Sequence, residues 1–150
     1  MTRSQKSINE EKTTAASYII TFYKEVQELS HNFSLYENVI LELENKIGSG
    51  GFDLSKVDEG DKNTLIQVVQ TVRYHAHKCI LQYECITQSV GVQREPSVKD
   101  SYEKIKKNFI IEREDLFGFV KAMNMFLIKD IMKHLLEDSQ ETIDNIYKDD

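Results

Sequence analysis

Residues 19–47 read IITFYKEVQELSHNFSLYENVILELENKI, and their apolar positions decide the fold. Ile19, Phe22, Val26, Leu29, Phe33, Tyr36, Ile40, Leu43 and Ile47 fall alternately three and four residues apart without a miss. Such spacing lays one narrow apolar seam along a helix and predicts lengthwise packing against a second long helix. Lys24, Glu25, Gln27, Glu28, Asn38, Glu42, Glu44 and Lys46 occupy positions between and form a solvated face. The seam predicts a helix over about residues 13–47, preceded by a flexible tail at 1–12.

Downstream, Gly48, Gly50, Gly51 and Gly60 mark residues 48–60 as a loop, with Gly48 suited to cap the first helix. No Gly-Lys-Ser/Thr follows to cradle a phosphate, and Asp53 to Gly60 lacks the ligand spacing of a calcium loop. A second helix is expected from Asp61, a residue type favoured at helix N-caps. Its seam is Leu65, Val69, Val72, Ala76, Cys79, Tyr83, Ile86 and Val90. Ala76 and Cys79 are small, so the partner helix should approach closely there. Gly91 should end this helix, and Pro96 should open the next, where its missing N–H costs nothing.

The third helix is expected from Ser97 towards Glu137. Its first half carries one stripe, Val98, Tyr102, Ile105 and Phe109; between Leu116 and Leu136, however, fourteen of 21 residues are apolar. A helix flanking a small bundle needs an apolar face of about 100°, and this one is apolar around most of its circumference. The expected fold is all-α: an elongated antiparallel bundle of three long helices with coiled-coil-like seams, one domain over 13–147. A short fourth segment over Thr142–Tyr147 would fold back with Ile143, Ile146 and Tyr147, leaving 148–150 frayed.

Composition bounds the function. The chain has 150 residues, one proline, no tryptophan and a formal charge of −6. An acidic chain is poorly suited to neutralising phosphates, so nucleic acid is not expected as its primary ligand. The N-terminal residues show no apolar signal region, and Lys121, Lys129, Asp130, Lys133 and His134 interrupt the most apolar stretch. The expectation is an intracellular protein, cytoplasmic or nuclear, without a transmembrane segment. Cys79 and Cys85, six residues and about 9 Å of helical rise apart, are too distant for a disulfide and read as free thiols.

Catalytic and metal chemistry find little support. His75, His77 and Cys79 resemble a ligand string, yet His77 turns about 200° from His75 on a helix, so only His75 and Cys79 share a face. Structural zinc wants four converging ligands. Glu112, Glu114 and Asp115 beside Arg113 read as ordinary helical salt pairs. No nucleophile elbow, His-Glu-x-x-His pair or Walker loop occurs. The expectation is no enzyme, no cofactor, no metal and no small-molecule substrate.

The wide apolar face of 116–136 instead predicts a contact with a partner protein or a second copy. Phe117, Met125, Phe126, Ile128 and Met132 are the candidate contact residues, because aromatic and methionine side chains dominate such surfaces. Burying five of them would contribute about 10 kcal/mol gross, at roughly 2 kcal/mol each. Lys104, Lys106 and Lys107 are candidates for contact with an anionic surface.

One stretch carries a family likeness. Asn108-Phe109, Glu112-Arg113-x-Asp115-Leu116, Phe119-Val120, Phe126-Leu127 and Ile131 resemble the last long helix of the BAR domains of sorting nexins, over about residues 102–135. The resemblance implies antiparallel helices that dimerise into a curved rod on a membrane, although this chain is acidic where that family's membrane face is basic. The expected function is thus a non-enzymatic scaffold or adaptor subunit. A BAR-like dimeric trafficking module is the alternative, and a chromatin- or kinetochore-type subunit that does not read bases is a second.

Overall fold

The computed structural model describes residues 3–48, 53–107 and 111–131, apart from the side chains of 3–16, 90 and 130. All regular structure among the described residues is helical: α1 (Arg3–Ile47), α2 (Glu59–Val90), α3 (Pro96–Lys107) and α4 (Arg113–Met125), with a 3-10 turn at Leu54–Lys56 and a π turn at Phe126–Ile131. Both long seams lie where the spacing places them. Ile19, Phe22, Val26, Leu29, Phe33, Tyr36 and Leu43 are buried along α1, with Ile40 and Ile47 half-buried. On α2, Leu65, Val69, Val72, Ala76, Cys79, Tyr83 and Ile86 are buried against them. The side chain of Val90, like Phe109, lies outside the described residues.

Two helix starts differ from expectation. α1 begins at Arg3 rather than near Thr13, because Gln5, Lys6, Glu10, Glu11, Lys12 and Ala15 favour helix without any apolar seam. α2 begins at Glu59, capped by Asp58, whose carboxylate accepts the Asp61 N–H at 2.8 Å. Asp61 therefore lies within the first turn of the helix, where its charge suits the positive helix end and pairs with Lys46 at 2.9 Å. Gly48 and Gly91 follow α1 and α2 in the left-handed conformation, with φ of 101° and 77°, which a side chain would oppose.

The larger correction concerns the third helix. It is two helices, α3 and α4, and the chain reverses between them. Tyr102 of α3 packs its ring 5.9 Å from Phe119 of α4, and Val98 lines the same cleft as Ala122. Against α1, contacts run from Arg113–Glu37 through Phe117–Phe33 to Phe126–Phe22, so α4 is antiparallel to α1. Glu25–His75 and Lys46–Asp61 set α2 antiparallel to α1, while His77–Tyr102 and Tyr83–Glu95 set α3 antiparallel to α2.

Breaking a helix releases backbone carbonyls that need partners. Two neighbouring helices supply them. Arg73 of α2 donates its Nε–H to the Ile105 carbonyl at 3.3 Å, and Tyr36 of α1 donates its hydroxyl to the carbonyl of buried Ile111. Charge distribution also fits two ends rather than one continuous helix. Lys104, Lys106 and Lys107 occupy the last turn of α3, and Glu114 and Asp115 the first turn of α4, each favourable to the adjoining helix dipole.

Reversal explains the wide apolar circumference of α4, which has α1 on one side and α3 on another. Leu116, Phe119, Val120 and Met123 are buried, and so are Phe126, Leu127 and Ile131 in the π turn. A π turn bonds i to i+5 and so widens the helix by about one residue per turn, and Phe126, Leu127 and Ile131 within it all face inward. The expected fourth segment, Thr142–Tyr147, and the C-terminal residues 148–150 lie outside the described residues.

Burial, and secondarily the charge of Glu112, pushes the Tyr36 phenol up to about 12 from its ordinary 10.0. The fold thus favours neutral Tyr36, a contribution fully present below pH 10 and lost as pH rises through 12. Tyr36→Phe leaves the Ile111 carbonyl buried without its donor and should cost about 1–3 kcal/mol. It should also remove an alkaline loss of roughly 2–3 kcal/mol at ~1.4 kcal/mol per pKa unit. Urea titrations of both proteins from pH 8 to 12 measure this; equal stability with the same alkaline limb would contradict the role given to Tyr36.

Candidate functional site

The outer face of α4 and the π turn presents a stripe. Phe117, Lys121, Met125 and Lys129 fall four residues apart, with Ile128 beside Lys129, and all five side chains are exposed. Residues four apart in a helix are surface neighbours, so the stripe alternates apolar and cationic groups. Phe117 is 54% exposed, Met125 42% and Ile128 66%, although the Phe117 ring leans on Phe33 at 6.1 Å. Other large exposed apolar side chains, such as Leu35 and Leu41 on α1 and Tyr74 and Leu81 on α2, lie on other helices.

Phe126 requires a correction. It is 6% exposed and sits between the Phe22 ring at 5.5 Å and the Tyr83 ring at 4.5 Å, edge to face with both. This packing joins α1, α2 and the π turn, so Phe126 belongs to the core rather than to an outward contact. Met132 lies outside the described residues. Thus Phe117, Met125 and Ile128 are the three candidates that the fold leaves outward.

Beside the stripe, a cleft of about 360 Å³ opens between the start of α3 and the π turn. Val98, Ala122, Met125 and Phe126 form apolar walls, while Tyr83, Glu95, Ser97 and Lys129 supply the polar groups. Its α3 side is held in place by local hydrogen bonds. The Glu95 N–H donates to the Tyr83 hydroxyl oxygen at 2.7 Å, and the Ser97 hydroxyl donates to the Glu95 carboxylate at 3.3 Å. On the far side Asn124 donates from Nδ2 to the Val120 carbonyl at 2.9 Å and to Ser30 Oγ at 3.3 Å, fixing α4 against α1. Sequence reasoning missed the cleft because it depends on the hairpin that sets Val98 beside Ala122.

The lysine cluster has a local explanation. Lys104, Lys106 and Lys107 are exposed at the negative end of α3. Lys106 lies 5.1 Å from the Tyr102 ring centroid and 3.7 Å from Glu103. The histidines diverge. His75 Nδ1 lies 3.0 Å from Glu25, which also faces Lys78 at 3.6 Å, whereas His77 Nδ1 lies 2.6 Å from the Tyr102 hydroxyl. Cys79 is buried, and burial followed by the charge of Glu25 pushes its thiol well above the usual range. A thiol so placed is a poor nucleophile and metal ligand. Among the described residues no three of His, Cys, Asp and Glu gather as a metal site.

Comparison with known proteins finds no matching family model, curated protein or solved structure. Among the described residues, no helix is long and apolar enough to cross a membrane.

The inward and outward assignments differ sharply in expected cost. Phe126→Ala should destabilise the fold by about 3–5 kcal/mol through the cavity it leaves. Ile128→Ala should change stability by less than about 0.5 kcal/mol. Chemical denaturation of the two variants checks this, and comparable losses would show that Ile128 is also a core residue.

Proposed function

We propose that this chain is a non-enzymatic helical adaptor subunit of an intracellular assembly, engaging another protein through the outer face of α4 and the π turn. The observation that carries this reading is the grouping of Phe117, Met125 and Ile128 as large exposed side chains on one short segment. Their neighbours Phe119, Val120, Met123, Phe126 and Leu127 are buried, so the displayed residues stand on a packed backing. Interfaces favour such aromatic and methionine anchors on rigid elements. The long α1–α2 pair serves as the frame that presents this face, and the elongated seams expected from the sequence suit that role.

Phe117→Asp combined with Ile128→Asp changes only exposed side chains and should preserve helicity by circular dichroism. It should remove most of the wild-type protein's binding of an environment-sensitive apolar dye. Light scattering separates partner types: a wild-type mass near twice 17.5 kDa that falls to the monomer in the double variant assigns the face to a second copy. A monomer in both cases assigns it to a different protein. Dye binding and mass unaffected by the substitutions would contradict the proposed surface.

A further inference from the structure

The stripe specifies more than an apolar partner. Between Leu116 and Lys129 the chain has two lysines and no carboxylate, within a protein whose formal charge is −6. Lys121 and Lys129 are both exposed and alternate at helical spacing with Phe117 and Met125. Among the described residues neither forms an ion pair, a state they share with Lys24, Lys56, Lys62, Lys99, Lys104 and Lys107; what sets them apart is their place between exposed Phe117, Met125 and Ile128. The stripe from 116 to 129 thus joins two exposed cations to exposed apolar side chains, between Asp115 and Asp130.

The adjoining cleft gives the stripe an anchor point. Met125 and Lys129 belong to both features, so an apolar side chain entering the cleft would bring its flanking residues over the lysines. At about 360 Å³ the cleft lies near the lower end of the roughly 300–1,000 Å³ typical of ligand pockets. Glu95 at the α3 rim disfavours carboxylates there and leaves the lysine side as the place for negative charge. The π turn that carries Lys129 is a helix distortion frequent at functional sites.

Resting on the adaptor reading above, we propose that the partner is an acidic amphipathic helix. One of its large apolar side chains enters the cleft between α3 and the π turn, and its Asp or Glu residues meet Lys121 and Lys129. Apolar residues at i, i+3 or i+4, and i+7 would form its docking face, with carboxylates beside them. Complementary charge of this kind sets register and excludes wrong partners.

The test screens the full chain against a displayed library of 16-residue peptides and remeasures an enriched peptide as a free synthetic one. Enriched sequences should combine apolar helical spacing with Asp and Glu. Lys121→Glu combined with Lys129→Glu, both surface changes, should weaken that peptide about tenfold or more, and Met125→Asp should abolish its binding. Enriched peptides that are neutral or basic, lose binding in Met125→Asp and tolerate the charge reversal would overturn the acidic partner while leaving the adaptor surface standing. Binding independent of Phe117, Met125 and Ile128 would overturn both. If peptides bind only after residues 137–150 (EDSQETIDNIYKDD) are removed, that acidic segment is the occupant and the separate partner is overturned. A charge-sensitive dimer seated on the stripe would overturn it in favour of a second copy.

Discussion

Tyr36 donates its hydroxyl from the C-terminal third of the longest helix to the carbonyl of Ile111, a buried residue between the end of α3 and the start of α4. An unpaired carbonyl buried there would oppose the break. With the bond made, and with Arg73 serving the Ile105 carbonyl, the chain can reverse. Reversal gives α4 two neighbours, and the rest of the architecture depends on it. Phe119 meets Tyr102 on one side, and Phe126 meets Phe22 and Tyr83 on the other. A continuous helix would separate Val98 from Ala122 by about 36 Å at 1.5 Å per residue, and the cleft they line together would not exist.

The α1 and α2 seams were legible because their packing follows one uninterrupted period. Seven of the nine expected α1 positions are buried, and the other two, Ile40 and Ile47, are half-buried near its C-terminal end. Gly91 and Pro96 were legible for a different reason: each has a backbone property that fits one helix boundary. The reversal after α3 carries no such punctuation. From Val98 through Tyr102, Ile105, Phe109, Leu116, Phe119 and Met123, the spacing remains in phase except at Glu112, and neither glycine nor proline intervenes before Leu116. The available signal was electrostatic. Lys-Ile-Lys-Lys at 104–107 followed by Glu-Arg-Glu-Asp at 112–115 places cations where one helix ends and carboxylates where another begins. Read as a basic patch and as helical salt pairs, the same residues conceal the boundary.

The candidate surface was legible in composition and not in phase. A segment with fourteen apolar residues in 21 has to touch more than one neighbour, but composition alone does not say which residues each neighbour takes. The hairpin assigns Phe126 to the core and leaves Phe117, Met125 and Ile128 outward. Most of the apparent surplus is absorbed internally. What remains is smaller and more specific: an apolar stripe interrupted by two lysines, beside a cleft lined from α2, α3, α4 and the π turn.

The reversal between α3 and α4 is the claim on which both the core and the surface rest, and one distance tests it. Spin labels at Lys99→Cys and Lys121→Cys, in a Cys79→Ala/Cys85→Ser background that still folds by circular dichroism, report it by pulsed electron resonance. In an antiparallel hairpin with helix axes about 8–10 Å apart, the labelled backbone sites lie within roughly 15 Å of each other. The hairpin predicts a dominant short distance of that order, lengthened only by the label arms. A distribution centred near 33 Å, the span of 22 residues in one unbroken helix at ~1.5 Å each, would contradict it.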